Sequence, residues 1–211
     1  MDLYALTAVE RRRLVDALED VSASEWLGPS LCSQWSRHQV LAHLTSLWEV
    51  TPARLLLALV QRGSLDRALD DVTQHLARRL SPTECLDSLR THASSRRSPP
   101  FLGPGAPLTD IIVHGADILW PLGRDWQPAV PALSESLTWI VTRSPRGFLP
   151  QGRLKGIRVL ATDLGLALGP PEGEEIRGDA LSLLTLIMGR TERADRVSGP
   201  GRRRLLNSSP D

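Results

Sequence analysis

Hydrophobic positions in the first two-thirds of the chain recur at three- and four-residue intervals, the period of helices that bury one face. Leu6, Val9, Leu14, Leu18 and Val21 form the first such stripe, and Thr7-Ala8-Val9-Glu10 has the form of a capping box. Ser22-Ala23-Ser24-Glu25-Trp26 predicts a single turn, ended by Gly28-Pro29. A second helix begins near Ser36 and carries Val40, His43, Leu44 and Leu47 on one face, with Pro52 expected to kink or end it. The run Arg54-Leu55-Leu56-Leu57-Ala58-Leu59-Val60 reads as buried helix closing at Gly63, and Leu65 to Leu80 as a further helix. Ser81-Pro82-Thr83-Glu84 combines an N-cap serine, a proline at the first helical position and a glutamate at the third. Ser94 to Pro100 and Gly103-Pro104-Gly105 bracket a loop, after which Leu108 to Leu122 forms a helix stopped by Gly123. Four principal helices within about 125 residues predict a bundle, a fold that builds metal sites on its inward faces.

Beyond Asp125 the periodicity changes. Pro131 to Arg143 is helical in pattern and is broken by Ser144-Pro145-Arg146-Gly147. Leu154 to Ala161 alternates apolar and polar residues, as a half-buried strand does, and short strands follow at Leu164 to Leu168 and Glu175-Ile176. Asp179 is placed to cap a helix running to Met188, with Gly189 ending it. The tail after Arg202, rich in Arg, Ser and Pro, is expected to be disordered. The fold class is therefore α+β, with a helical bundle over residues 1–125 and a small α/β domain over 126–211.

Composition narrows the partners. The 25 basic and 24 acidic residues leave a net charge of +1, so neither nucleic acid nor an anionic membrane is an expected partner. No apolar run is long enough to cross a bilayer, and the N-terminal segment lacks the apolar core of a signal peptide. A cytoplasmic location is expected. Cys32 and Cys85 have no metal-knuckle spacing and read as reduced core thiols.

Asp110 and His114 stand four apart on a predicted helix, so their side chains leave one face a turn apart and can meet on one cation. Their neighbours are largely apolar, and a buried carboxylate there needs a partner. His43, on the apolar face of the second helix, supplies a third ligand. Two imidazoles and one carboxylate leave positions open to water or substrate. On spacing alone, a simple Asp–His hydrogen bond and a satisfied core histidine are the commoner arrangement. Asp117, a turn beyond His114, reads either as a carboxylate orienting the imidazole or as a local hydrogen-bond acceptor. Trp26, Trp35 and Trp48 read as core anchors, and His38, His75 and His92 fall on polar surfaces.

The segment from Leu31-Cys32-Ser33-Gln34-Trp35 to Val40-Leu41-Ala42-His43-Leu44 resembles a signature of DinB-like proteins and of mycothiol-dependent maleylpyruvate isomerases. Asp110 with His114, Asp117 and Ile118 resembles a second signature, and Gly156 to Asp163 and Gly189-Arg190 resemble two C-terminal elements. Together these span about Glu10 to Leu205. The resemblance implies a DinB-like four-helix bundle followed by a small sterol-carrier-like α/β domain. It implies a divalent metal, zinc above all, on His43, Asp110 and His114, with mycothiol as the thiol cofactor. It also implies that Arg190 grips a substrate carboxylate; otherwise Arg190 neutralises a helix C-terminus. Two departures are evident: Asp110 stands where the isomerases carry glutamate, and Gln34 where glycine precedes the tryptophan. The expected function is isomerisation or thiol transfer on a small electrophile, dependent on metal and thiol. The alternative is a non-catalytic metal-binding sensor or partner-binding module.

Overall fold

The computed structural model describes residues 1–145 and 148–207, which fall into two compact units, Met1–Gln127 and Pro128–Asp211. Arg146 and Gly147 of the predicted helix-breaking segment lie outside the described residues, as do residues 208–211. No helix among the described residues is long and apolar enough to cross a membrane.

The first unit is helical throughout. Helix α1 (Leu3–Leu18) begins four residues before Thr7, because Asp2 caps it by accepting from the Tyr4 amide. Thr7 lies inside the helix, where its hydroxyl donates to the Leu3 carbonyl at 2.8 Å. The single turn α2 (Ala23–Trp26) and helix α3 (Arg37–Leu44) each open with a complete capping box, on Ser22 with Glu25 and on Ser36 with Gln39. After the short α4 (Ser46–Glu49), Pro52 starts a helix instead of ending one: it occupies the first turn of α5 (Pro52–Arg62), where its missing N–H costs nothing. Gly63 closes α5 in the left-handed region, at φ 71°. Helices α6 (Leu65–Arg79) and α7 (Pro82–Thr91) follow, the latter with the predicted Ser81–Glu84 capping box. Helix α8 (Gly105–Leu119) starts three residues earlier than its pattern suggests and runs into a 3-10 turn, Trp120–Leu122, ended by Gly123.

Helix α3 packs on α6, α7 and α8, and α1 packs on α7 and α8, so α3 and α8 face each other in the bundle. Every residue of α8 is buried except Asp110. The expectation that Arg54 to Val60 is buried is corrected here. Within α5 only Ala58 is buried, while Leu56 and Val60 are 61% and 74% exposed. Consecutive leucines point all round a helix, and α5 packs mainly on α6, which covers one side of it.

The second unit opens with α9 (Val130–Arg143) and contains a three-stranded sheet of order β2-β1-β3. Strand β1 (Ile157–Ala161) pairs antiparallel with β2 (Leu166–Leu168), setting Val159 opposite Leu168, and parallel with β3 (Glu174–Gly178), setting Val159 opposite Ile176. The strand starts at Ile157 rather than Leu154, after the left-handed turn at Gly156 (φ 71°). The Asp179 carboxylate accepts from Ser182 to cap α10 (Ala180–Ile187), and Asp163 reaches the Ala180 amide at 2.9 Å from the end of β1. Gly189, at φ 89°, follows α10. The predicted disorder after Arg202 does not hold for residues 202–207, which form α11 (Arg202–Asn207). Buried Arg153 ties its end to that of α10: its guanidinium donates to the carbonyls of Ile187, Leu186 and Leu205. Loss of water around that group lowers its pKa.

Candidate metal centre

His43 lies in the last turn of α3, and Asp110 and His114 lie one turn apart on α8. Packing α3 against α8 brings the three together. One Asp110 oxygen lies 3.3 Å from His114 Nε2, and the other lies 3.7 Å from His43 Nε2. The imidazole rings meet edge to face at 5.0 Å between centroids. One donor atom from each residue lies within 4.8 Å of the other two.

The donor set fits a divalent ion such as zinc. Ligands bound at about 2.0–2.2 Å in a tetrahedron stand about 3.4 Å apart, close to both oxygen–nitrogen separations. Two imidazoles and a carboxylate are of intermediate hardness, suited to zinc, and leave the coordination incomplete.

Without an ion, Asp110 and His114 form an ion pair. Burial alone would raise the Asp110 carboxyl, but the charges and hydrogen bonds of His114 and His43 outweigh it and hold its pKa far below the usual carboxylate range. Burial likewise opposes a charged His114. Asp110, Asp117 and Cys32 outweigh it and keep the imidazole protonated well above the ordinary histidine range.

The other ring nitrogens have partners too. His114 Nδ1 lies 2.8 Å from the carboxylate of Asp117, which is fully buried. His43 Nδ1 faces the hydroxyl of buried Thr73 on α6 at 3.4 Å. Both histidines thus turn Nε2 towards Asp110.

Three neighbours were not singled out as site residues in the sequence. Trp35 stacks at a tilt on His43, 5.1 Å between centroids, and its indole N–H donates to Asp70 at 2.9 Å, so it is half-buried beside the site rather than a plain core anchor. Thr73 gave no signal, because its contact with His43 is made across two helices. Cys32 is half-buried rather than a core thiol, and its S–H donates to Asp117 at 3.2 Å. Its Leu31-Cys32 context was the available signal. Cys85 is fully buried, and burial pushes its thiol up to about 12.

The remaining histidines are not part of this cluster. His38 and His92 bond to the backbone carbonyls of Leu80 and Ser88, and His75 is exposed. In the second unit, Arg190 follows α10, and its guanidinium donates to the Met188 carbonyl at 2.7 Å, a bond of the helix-terminating kind.

Residues 7–98 match the family model of the mycothiol maleylpyruvate isomerase N-terminal domain. That span contains His43 and ends before Asp110 and His114. Two crystal structures are similar over nearly the whole chain: a mycothiol-dependent maleylpyruvate isomerase and a histidine-to-alanine variant described under the same name. Their TM-scores are 0.60 and 0.61, each at 14% identity and each covering 94% of this chain and 92% of the other. At that identity the likeness establishes the fold, helix-rich with a small C-terminal sheet. No curated protein matches the sequence. The family resemblance carried by the motifs is borne out by the family model over residues 7–98.

Proposed function

We propose that this chain, with a mycothiol maleylpyruvate isomerase N-terminal domain over residues 7–98, is a metal- and mycothiol-dependent enzyme. It acts on a small electrophile by isomerisation or thiol transfer. The observation that carries this reading is the convergence of His43 Nε2, Asp110 and His114 Nε2 on one point between α3 and α8. Zinc is the ion proposed there. When bound, a divalent ion lowers the pKa of a coordinated thiol, which supplies a thiolate near neutral pH.

The chain's own residues have simpler tasks. His43 and His114 would each turn a ring nitrogen to a bound ion, and Asp110 would supply the negative charge that binds a cation in largely apolar surroundings. Trp35, packed on the His43 ring, limits its rotation. No protein nucleophile is required. Arg190 is proposed to hold a substrate carboxylate, so Arg190→Lys should weaken an acidic electrophile more than a neutral one, because lysine keeps charge but lacks the planar fork.

The test has two parts. Elemental analysis of protein purified without a metal-affinity tag should find about one divalent ion per chain. Mycothiol consumption should then be followed against a panel of electrophiles that includes maleylpyruvate, with metal-stripped protein as control. Equal rates with and without metal would remove the mechanism. Metal without turnover of any panel member would favour the non-catalytic binding module.

A further inference from the structure

His114 belongs to two clusters at once. Its Nε2 faces Asp110 and His43, while its Nδ1 faces Asp117 and Cys32. Either cluster has the residue types to hold a cation, so the geometry must decide between them. The Nδ1 to Asp117 separation of 2.8 Å is shorter than the roughly 3.4 Å between two ligands of one tetrahedral ion. It matches the about 2.7–2.9 Å of a charge-assisted N–H···O bond. The Asp117 oxygen that receives this bond also accepts the Cys32 thiol at 3.2 Å, while the sulfur stands 3.9 Å from Nδ1. Asp117 is fully buried, and its carboxylate is thus met from two sides by donors.

We infer that Asp117 is a positioning residue. It holds the proton of His114 on Nδ1, so that the Nε2 lone pair is aimed at the His43–Asp110 side. Cys32 supports it by donating its S–H to the same oxygen. A carboxylate behind a ligating imidazole fixes its tautomer and makes the facing nitrogen a better donor. The Cys32–Asp117–His114 cluster is accordingly the support of the metal centre and not a second site. This inference rests on the metal reading above.

The experiment uses the full chain loaded with zinc, and in parallel with cobalt(II). In protein labelled with 15N-histidine, His114 should show a protonated Nδ1 with a downfield proton resonance and a metal-bound Nε2. The cobalt form should lack a thiolate-to-cobalt band in the near ultraviolet. Asp117→Asn should lower zinc affinity by about 10- to 100-fold and shift the Nδ1 proton upfield, with the far-ultraviolet circular dichroism unchanged. Cys32→Ser, which keeps an O–H donor on the carboxylate, should stay within about threefold of the wild type, since a hydrogen bond is replaced by another.

Absence of zinc uptake by the wild type would overturn the metal reading itself. Zinc uptake with His114 bound through Nδ1, or a thiolate-to-cobalt band, would overturn this inference alone. So would an Asp117→Asn variant with wild-type affinity and an unmoved Nδ1 proton. The wild-type spectra decide the matter even where Asp117→Asn fails to fold.

Discussion

Replacing Asp110 by asparagine keeps the shape of the side chain and removes the charge that two imidazoles share. Titration calorimetry should show Asp110→Asn losing more zinc affinity than the about 10- to 100-fold expected for an outer partner, with the fold retained. His43→Ala and His114→Ala should abolish stoichiometric binding, whereas exposed His75→Ala should bind as the wild type does; full occupancy in the His43, His114 double variant would refute the ligand set. Protons compete with the ion. The lowered Asp110 contributes stability that is complete above the ordinary carboxylate pKa and is lost as pH falls through its folded value. The raised His114 contributes stability that is complete below the ordinary histidine pKa and is lost as pH rises through its folded value. The metal-free pair is therefore most stabilising between about pH 4 and 6.5, and zinc affinity should climb with pH beyond that window as His114 gives up its proton. Stability of Asp110→Asn and wild type measured without metal across pH 4–10 checks the first statement, and competition titrations check the second. The Asp110–His114 pair was legible from spacing, because residues four apart on a helix must share a face. Thr73 and Trp35 were not, because their contacts with His43 depend on how helices pack.

Helix α8 is packed so closely that glycine beside a ligand is required. A Cβ at Gly115 would lie 2.6 Å from the Trp126 ring, whose N–H donates to the Ile112 carbonyl. Gly115→Ala should therefore cost about 1–3 kcal/mol in denaturant unfolding, with some loss of zinc affinity as α8 shifts. By contrast, Leu56→Gln or Val60→Lys on α5 should change stability by no more than about 0.5 kcal/mol, because these side chains already face solvent. A large loss there would mean that the face is covered in solution. Helix starts were well marked in the sequence wherever a serine cap and its reciprocal glutamate or glutamine coincide, as at Ser22, Ser36 and Ser81. They were misplaced where another residue takes the cap, as Asp2 does for α1. The α5 run was misread because hydrophobicity reports what a side chain prefers and not whether a neighbour exists to cover it.

At the scale of the whole molecule, the proposed metal ligands and their neighbours all belong to the first unit, while Arg190 belongs to the second. Cys32→Ser and Cys85→Ser should both retain thiol-dependent activity if the nucleophile comes from outside the protein, whereas metal removal should abolish it. In the folded protein Cys85, with its thiol near 12, should resist alkylation at neutral pH and react on unfolding. The small sheet in the C-terminal part of a helix-rich chain was readable from the change of period after Asp125. The sheet order was not, because pairing β1 with β3 in parallel joins residues the chain separates by a hairpin. Burial along α8 also sets how freely the protein can vary. A helix buried at every position but Asp110, with that position facing two histidines, has no neutral side on which substitutions can accumulate. A saturation scan scored for folded, zinc-binding protein should show an unbroken band of intolerance from 105 to 119. The solvent-facing positions of α5 should absorb most of the changes that the chain can accept.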